Sequence, residues 1–174
     1  YFDLMRNFRR YSWLLTYLFG ASPATCASFI QNKNHELLEF HDQETIFSPH
    51  STSLRSAEIG YQSDVQSKYL RVSYNGLPEY VSSLKAAIQN KFERYEKFLD
   101  GKSQISSNLL QSEAEFYTSI RAKRKTESAE NFVSSLLSNG VEYVELRLLD
   151  LNPFTPLGIS EDQIRFLDVF LLFC

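Results

Sequence analysis

The chain has 174 residues, 43% hydrophobic and 22% charged, at 20.2 kDa, which is the range of one globular domain and not of a disordered, collagenous or membrane protein. A chain of this length buries roughly 70% of the surface its unfolded form exposes, so a core forms without help from a disulfide or a structural metal. Eighteen Lys and Arg against 21 Asp and Glu leave a net charge of −3 and a pI near 5.7, without the basic excess that binding a phosphate backbone demands, so nucleic acid is not an expected partner.

The two cysteines, Cys26 and Cys174, lie far apart and fit no metal or redox spacing. A reducing, cytoplasmic setting is the expectation. The chain opens Tyr1-Phe2-Asp3 without an initiator methionine or a signal-type apolar stretch, and it closes inside the apolar run Ile164–Cys174. Arg165 and Asp168 interrupt that run, which is shorter than the roughly 20 apolar residues a bilayer span needs, so it reads as a core helix of a longer protein and no membrane partner is expected.

In chain order, Leu4, Phe8, Tyr11, Leu14, Leu15, Leu18 and Phe19 recur at helical spacing with Arg6, Arg9 and Arg10 between them, predicting an amphipathic helix over 3–19 that Gly20 ends. Ser22-Pro23 has the N-cap and N1 chemistry of a second, short helix reaching about Ile30. From Gln31 to Ser73 no period is sustained, which predicts a long loop region with short strands at most; a stretch of that kind is often functional. Pro78 then sits in the first turn of a predicted helix over Leu77–Leu99, closed by Asp100-Gly101. Strands are predicted at Gln104–Leu110 and, more weakly, at Phe116–Ile120. The run Arg121-Ala122-Lys123-Arg124-Lys125 places four positive charges in five residues, and such a run is usually a solvated face. Ser128 is suited to cap a helix over Ala129–Ser138, with Gly140 as its C-terminal residue. Val141–Leu149 alternates as a strand, with Val144, Leu146 and Leu148 on one face and Tyr143, Glu145 and Arg147 on the other. Asn152-Pro153-Phe154-Thr155-Pro156 stops it, and Ser160-x-x-Gln163 forms a capping box for the last helix.

Two residues apart on a strand, Glu145 and Arg147 would point the same way about 7 Å apart. A carboxylate holding a divalent cation beside a guanidinium that meets phosphate oxygens suits phosphate chemistry. On the pattern alone, a solvated face with a cross-strand ion pair is the commoner outcome. His35, His41 and His50 match no metal-ligand spacing, and no Rossmann, P-loop or hydrolase-elbow motif occurs. Arg55 and Tyr61 share a polar loop where a guanidinium fork and a phenol can clamp a carboxylate, and Tyr117 is a candidate for a third hydrogen bond. With ten tyrosines in the chain, core packing is the commoner role for any one of them.

Tyr17-Leu18-Phe19-Gly20-Ala21-Ser22-Pro23-Ala24, Ser53-Leu54-Arg55, Gly60-Tyr61, Ile120-Arg121-x-Lys123-Arg124, Gly140-Val141-Glu142-Tyr143-Val144-Glu145-Leu146-Arg147 and Leu151-Asn152-Pro153-Phe154-Thr155-Pro156 together resemble bacterial glutamate–cysteine ligase (γ-glutamylcysteine synthetase) of the γ-proteobacterial type. The resemblance runs nearly end to end and corresponds to the central part of such an enzyme. It implies an α+β chain, part of a glutamine-synthetase-like carboxylate–amine ligase fold with helices packed on a mainly antiparallel sheet. It further implies that residues 1–174 form one incomplete catalytic domain, inactive by itself. The implied activity is ATP-dependent joining of the glutamate γ-carboxylate to the cysteine amine through a γ-glutamyl phosphate, the first step of glutathione synthesis. By position, Glu145 corresponds to a Mg²⁺ ligand, with Mn²⁺ as a substitute, and Arg147 to the residue contacting the transferred phosphoryl group. Arg55, Tyr61 and Tyr117 correspond to residues holding the cysteine carboxylate, and Arg121 and Lys123 fall near the phosphates or glutamate. Two other readings stand beside this one: another carboxylate–amine ligase of the same fold, and a non-catalytic helical module docking a partner through its apolar end.

Overall fold

The computed structural model describes residues 1–30, 36–40, 42–57, 59–99, 104–126 and 131–174. It is an α+β structure whose residues fall into two compact units, one of residues 1–6 and 63–145, the other of 7–62 and 146–174. Helix α1 (Phe2–Tyr11) runs through the boundary, so the amphipathic stretch predicted over 3–19 serves both units in turn. It is also divided: Ser12 separates α1 from α2 (Trp13–Phe19).

In the first unit, α4 (Leu77–Gln89) supplies the buried face Tyr80, Val81, Leu84 and Ala87, and packs on α6 (Phe132–Asn139). Pro78 stands in its first turn, where its missing N–H costs nothing. The helix predicted to reach Leu99 stops ten residues earlier. Its last carbonyls are taken from outside: Leu110 N donates to Ala87 O at 3.0 Å, Asn108 Nδ2 to Ile88 O at 2.6 Å and Leu109 N to Asn90 O at 3.0 Å. The segment 104–110 is therefore no strand. It makes one isolated bridge, Lys91 to Asn108, and its residues 108–110 close α4. A single helical turn, α5 (Glu93–Glu96), follows; the predicted stop at Asp100-Gly101 lies outside the described residues.

The second strand prediction, 116–120, is displaced: β4 is Ile120–Lys123, preceded by a 3₁₀ turn over Glu113–Glu115. Of the basic run, only Lys125 is exposed. Arg121 is 5% exposed, and its Nη2 donates to the carbonyls of Ala114 and Phe116, pinning the 3₁₀ turn. Lys123 Nζ sits 4.6 Å from the Phe132 ring centroid, and Arg124 Nε donates to Gly140 O at 2.7 Å, covering the carbonyl end of α6. These contacts occupy Arg121 and Lys123 in packing. Asn131 caps α6, accepting from Ser134 N at 3.1 Å, whereas the cap proposed at Ser128 lies outside the described residues; Gly140, at φ 79°, ends the helix as expected. Strand β5 (Tyr143–Leu146) lies beside β4 and is shorter than the nine residues predicted.

In the second unit, β1 (Ala24–Cys26), β2 (Leu38–Glu39) and β3 (Thr45–Phe47) form an antiparallel sheet in the order β1-β3-β2, registered by Thr25 opposite Ile46 and Leu38 opposite Phe47. Ile46, central in this sheet, is buried. Ser22-Pro23 thus leads into a strand and a 3₁₀ turn over Ala27–Ile30 rather than a helix. The Asp42 carboxylate accepts from Thr45 N at 2.9 Å and Glu44 N at 3.0 Å, and the bond from Thr45 foremost holds its carboxyl below the ordinary range. Helix α7 (Glu161–Phe173) begins as the capping box predicts, Ser160 Oγ accepting from Gln163 N at 3.1 Å. Its rings meet α1 and α2 edge-on: Phe8 with Phe170 at 5.8 Å, and Phe19 with Phe166 at 5.2 Å. Beyond these contacts Leu172 and Phe173 are exposed, as is Phe154 at 94% in the preceding loop. Among the described residues no helix is long and apolar enough to cross a membrane, and Cys26 and Cys174 are free thiols.

Candidate functional site

Three of the five residues singled out from sequence belong to the second unit, and there they meet. Arg55 lies in a 3₁₀ turn over Leu54–Ser56, Tyr61 follows on the same loop, and Arg147 comes directly after β5. The guanidinium carbons of Arg55 and Arg147 stand 5.4 and 5.5 Å from the Tyr61 ring centroid. Arg147 Nη1 donates to the Tyr61 hydroxyl, and Arg55 Nη1 donates to the Arg147 carbonyl at 2.7 Å. All three side chains are half-buried. A phenol between two guanidiniums concentrates donors and positive charge in one place, which is what a carboxylate or phosphate requires.

The backbone explains how two residues six apart on one loop come together. Tyr61 N donates to Arg55 O at 2.6 Å and Gly60 N to Ala57 O at 2.9 Å, bringing Tyr61 back against Arg55. The close approach leaves no room at position 60. A Cβ there would lie 2.6 Å from the Arg55 carbonyl carbon and closer still to the oxygens of Leu54 and Arg55, so only glycine fits. Gly60→Ala should cost about 1–3 kcal/mol, the usual price of overpacking against immovable backbone. Denaturant unfolding checks this, and an unchanged midpoint would show that the loop yields freely.

The other two residues belong to the first unit. Glu145 is half-buried on β5, with Oε2 shielded from solvent. Because β5 ends at Leu146, strand alternation does not by itself set the Arg147 side chain beside that of Glu145, as the longer predicted strand would have done. Tyr117 is 41% exposed, and its backbone is held by a residue that no motif singles out. Gln66, on α3 (Asp64–Tyr69), donates from Nε2 to Glu115 O at 2.7 Å and accepts at Oε1 from Tyr117 N at 2.9 Å. That helix lies within the predicted long loop, with Ser63 as its N-cap.

Among the described residues no three His, Cys, Asp or Glu side chains converge as a metal site. His50 is exposed, and His35 and His41 lie outside the described residues. Glu145 does supply a hard oxygen donor. Mg²⁺ is commonly held by one or two carboxylates, waters and substrate phosphates, so a single carboxylate from this chain fits that mode of binding.

On this mixed helix and antiparallel-sheet chain, the guanidinium–phenol–guanidinium cluster has the chemistry that suits a small anion. The whole chain, residues 1–174, matches the glutamate–cysteine ligase family, and it is a member of that family. It is 51% identical over 183 residues to the glutamate–cysteine ligase of Alcanivorax borkumensis, and 51% identical over 178 residues to that of Hahella chejuensis. In each case all of this chain is covered, and it spans 34% of the relative's length. The crystal structure of glutamate–cysteine ligase from Francisella tularensis in complex with AMP superposes with a TM-score of 0.90 at 37% identity, over 99% of this chain and 35% of that one. A bifunctional glutathione synthetase from Pasteurella multocida is more distant, with a TM-score of 0.59 at 27% identity over 99% of this chain and 17% of that one.

Proposed function

We propose that the protein containing this chain joins the γ-carboxylate of L-glutamate to the amine of L-cysteine at the expense of ATP, giving γ-glutamylcysteine. The observation that carries the reading is the meeting of Arg55, Tyr61 and Arg147 in one cluster, in a chain of the glutamate–cysteine ligase family. In the first step a γ-carboxylate oxygen attacks the γ-phosphorus of ATP, the bond to the bridging oxygen breaks and ADP leaves. In the second, the neutral cysteine nitrogen attacks the acyl carbon, phosphate departs and the nitrogen loses a proton. The first step brings two anions together and the second builds negative charge on the acyl oxygen and the departing phosphate, so both barriers fall where fixed positive charge meets the developing negative charge.

Arg147 is assigned to the phosphoryl oxygens, where its fork matches two of them. Arg55 and the Tyr61 hydroxyl, with Tyr117, are assigned to the α-carboxylate of cysteine, fixing the direction from which the amine approaches. Glu145 is assigned as a ligand of Mg²⁺, or of Mn²⁺ in its place. When bound, the cation neutralises charge on the phosphates. Residues 1–174 are proposed to be one part of a catalytic domain that does not work alone, the protein to be cytoplasmic, and its partners to be these small molecules rather than nucleic acid or membrane. Arg55→Ala in the full-length protein should raise the KM for cysteine roughly 10- to 100-fold, with the KM for ATP changed less than about threefold, because one charge-assisted clamp is lost. Steady-state kinetics with each substrate varied in turn is the test, and an unchanged cysteine KM would remove the clamp.

A further inference from the structure

Asp150 is 8% exposed, yet the residues of the cluster do not use its side chain directly. Its Oδ2 accepts from Ala21 N at 2.9 Å and from Ser22 Oγ at 2.7 Å. Its Oδ1 is buried with no hydrogen-bond partner among the described residues. A buried carboxylate with one satisfied oxygen is costly, so what it holds is informative. Ser22 is the residue by which this joint grips the Arg55 loop: Leu54 N donates to Ser22 O at 2.6 Å, Ser22 N to Thr52 O at 3.2 Å, and the hydroxyls of Ser22 and Ser53 lie 3.2 Å apart. The next residue after Leu54 is Arg55, whose Nη1 returns to the carbonyl of Arg147, three residues before Asp150. The links close a ring that runs from Arg147–Asp150 through Ala21-Ser22 and Thr52–Leu54 to Arg55 and back.

We infer that Asp150 is a positioning residue for the carboxylate-binding end of the site, acting through Ser22 to fix where the Arg55 guanidinium stands against Tyr61 and Arg147. This rests on the ligase reading proposed above. With the ring cut at Asp150, Arg55 keeps its bond to the Arg147 carbonyl but loses the support of the strand-like pairing at Ser22. The amine substrate should then bind less well, while the phosphoryl chemistry keeps its own residues.

The test uses the full-length protein carrying Asp150→Ala, Asp150→Asn or Ser22→Ala. Asparagine retains an oxygen that can accept from both Ala21 N and Ser22 Oγ, so it should behave within about threefold of the unsubstituted protein, whereas alanine should raise the KM for cysteine roughly tenfold with kcat at saturating cysteine changed less than about threefold. Hydrogen exchange at the Leu54 and Tyr61 amides should quicken in Asp150→Ala. Ser22→Ala should shift the cysteine KM and the Leu54 amide in the same direction, and it serves if Asp150→Ala does not fold. An unchanged cysteine KM in a folded alanine variant, an equal fall in kcat for all substrates, or an asparagine variant as defective as alanine would overturn the positioning role. Absence of cysteine-dependent turnover in the unsubstituted protein would instead overturn the ligase reading, and with it the role given to Asp150 toward cysteine; the exchange rates then still report whether the ring holds the loop.

Discussion

Glu145→Gln in the full-length protein should reduce turnover at least ~100-fold and leave the fold intact, since glutamine keeps the size of the side chain and removes the charge a divalent cation needs. The position on β5 is half-buried, so an isosteric exchange there should shift Tm by no more than about 3 °C. The two readouts separate chemistry from structure. Raising Mg²⁺ or Mn²⁺ should recover part of the lost rate if the substitution weakens metal binding. A variant with near-normal turnover at ordinary metal concentration would refute the assignment of Glu145 as a ligand.

Arg147→Ala should lower kcat by roughly 10²- to 10³-fold, the loss seen when one preorganised donor facing developing negative charge is removed. Arg147→Lys should restore little, because an ammonium replaces the planar fork with a point charge and presents no pair of parallel donors to two oxygens. The backbone carbonyl that receives Arg55 survives either substitution, while the Tyr61 hydroxyl loses the donor that Arg147 gives it, so the cysteine KM should rise modestly and kcat should fall much further. This pattern is the reverse of the one expected for Arg55→Ala. Should Arg147→Ala raise the cysteine KM and spare kcat, the two arginines would have to exchange roles.

What was legible in the sequence depended on whether an element is closed by its neighbours in the chain or by distant ones. The opening of α7 needs only Ser160 and Gln163, and the end of α6 only Gly140, so both could be read directly. The hydrogen bonds of Ser22 run instead to Thr52, Leu54 and Asp150, none of them close in sequence, and they turned an apparent helix start into the entry to a strand. In the same way α4 ends where Asn108, Leu109 and Leu110 arrive to take its carbonyls, an event no local signal in Leu77–Leu99 announces.

For the site, residue chemistry and the family resemblance together singled out Arg55, Tyr61 and Arg147, which the fold gathers into one cluster. They did not indicate the residues that hold the cluster and its companions in place. Gly60 had no visible role until the close approach of the Leu54 and Arg55 carbonyls was seen to exclude a Cβ. Gln66 lay in an apparent loop and proved to clamp the backbone of Tyr117, while Asp150 fell just past the predicted strand and drew no attention. Arg121 went the other way, since a basic run suggests solvent or phosphate and its guanidinium is buried against two carbonyls.

The most direct test of the ligase reading is release of ADP by the full-length protein given ATP, Mg²⁺ and glutamate, with cysteine present or omitted. Sustained release that requires cysteine and is matched by formation of γ-glutamylcysteine is the expected result. A folded protein that releases no ADP with cysteine or any other amine would contradict it.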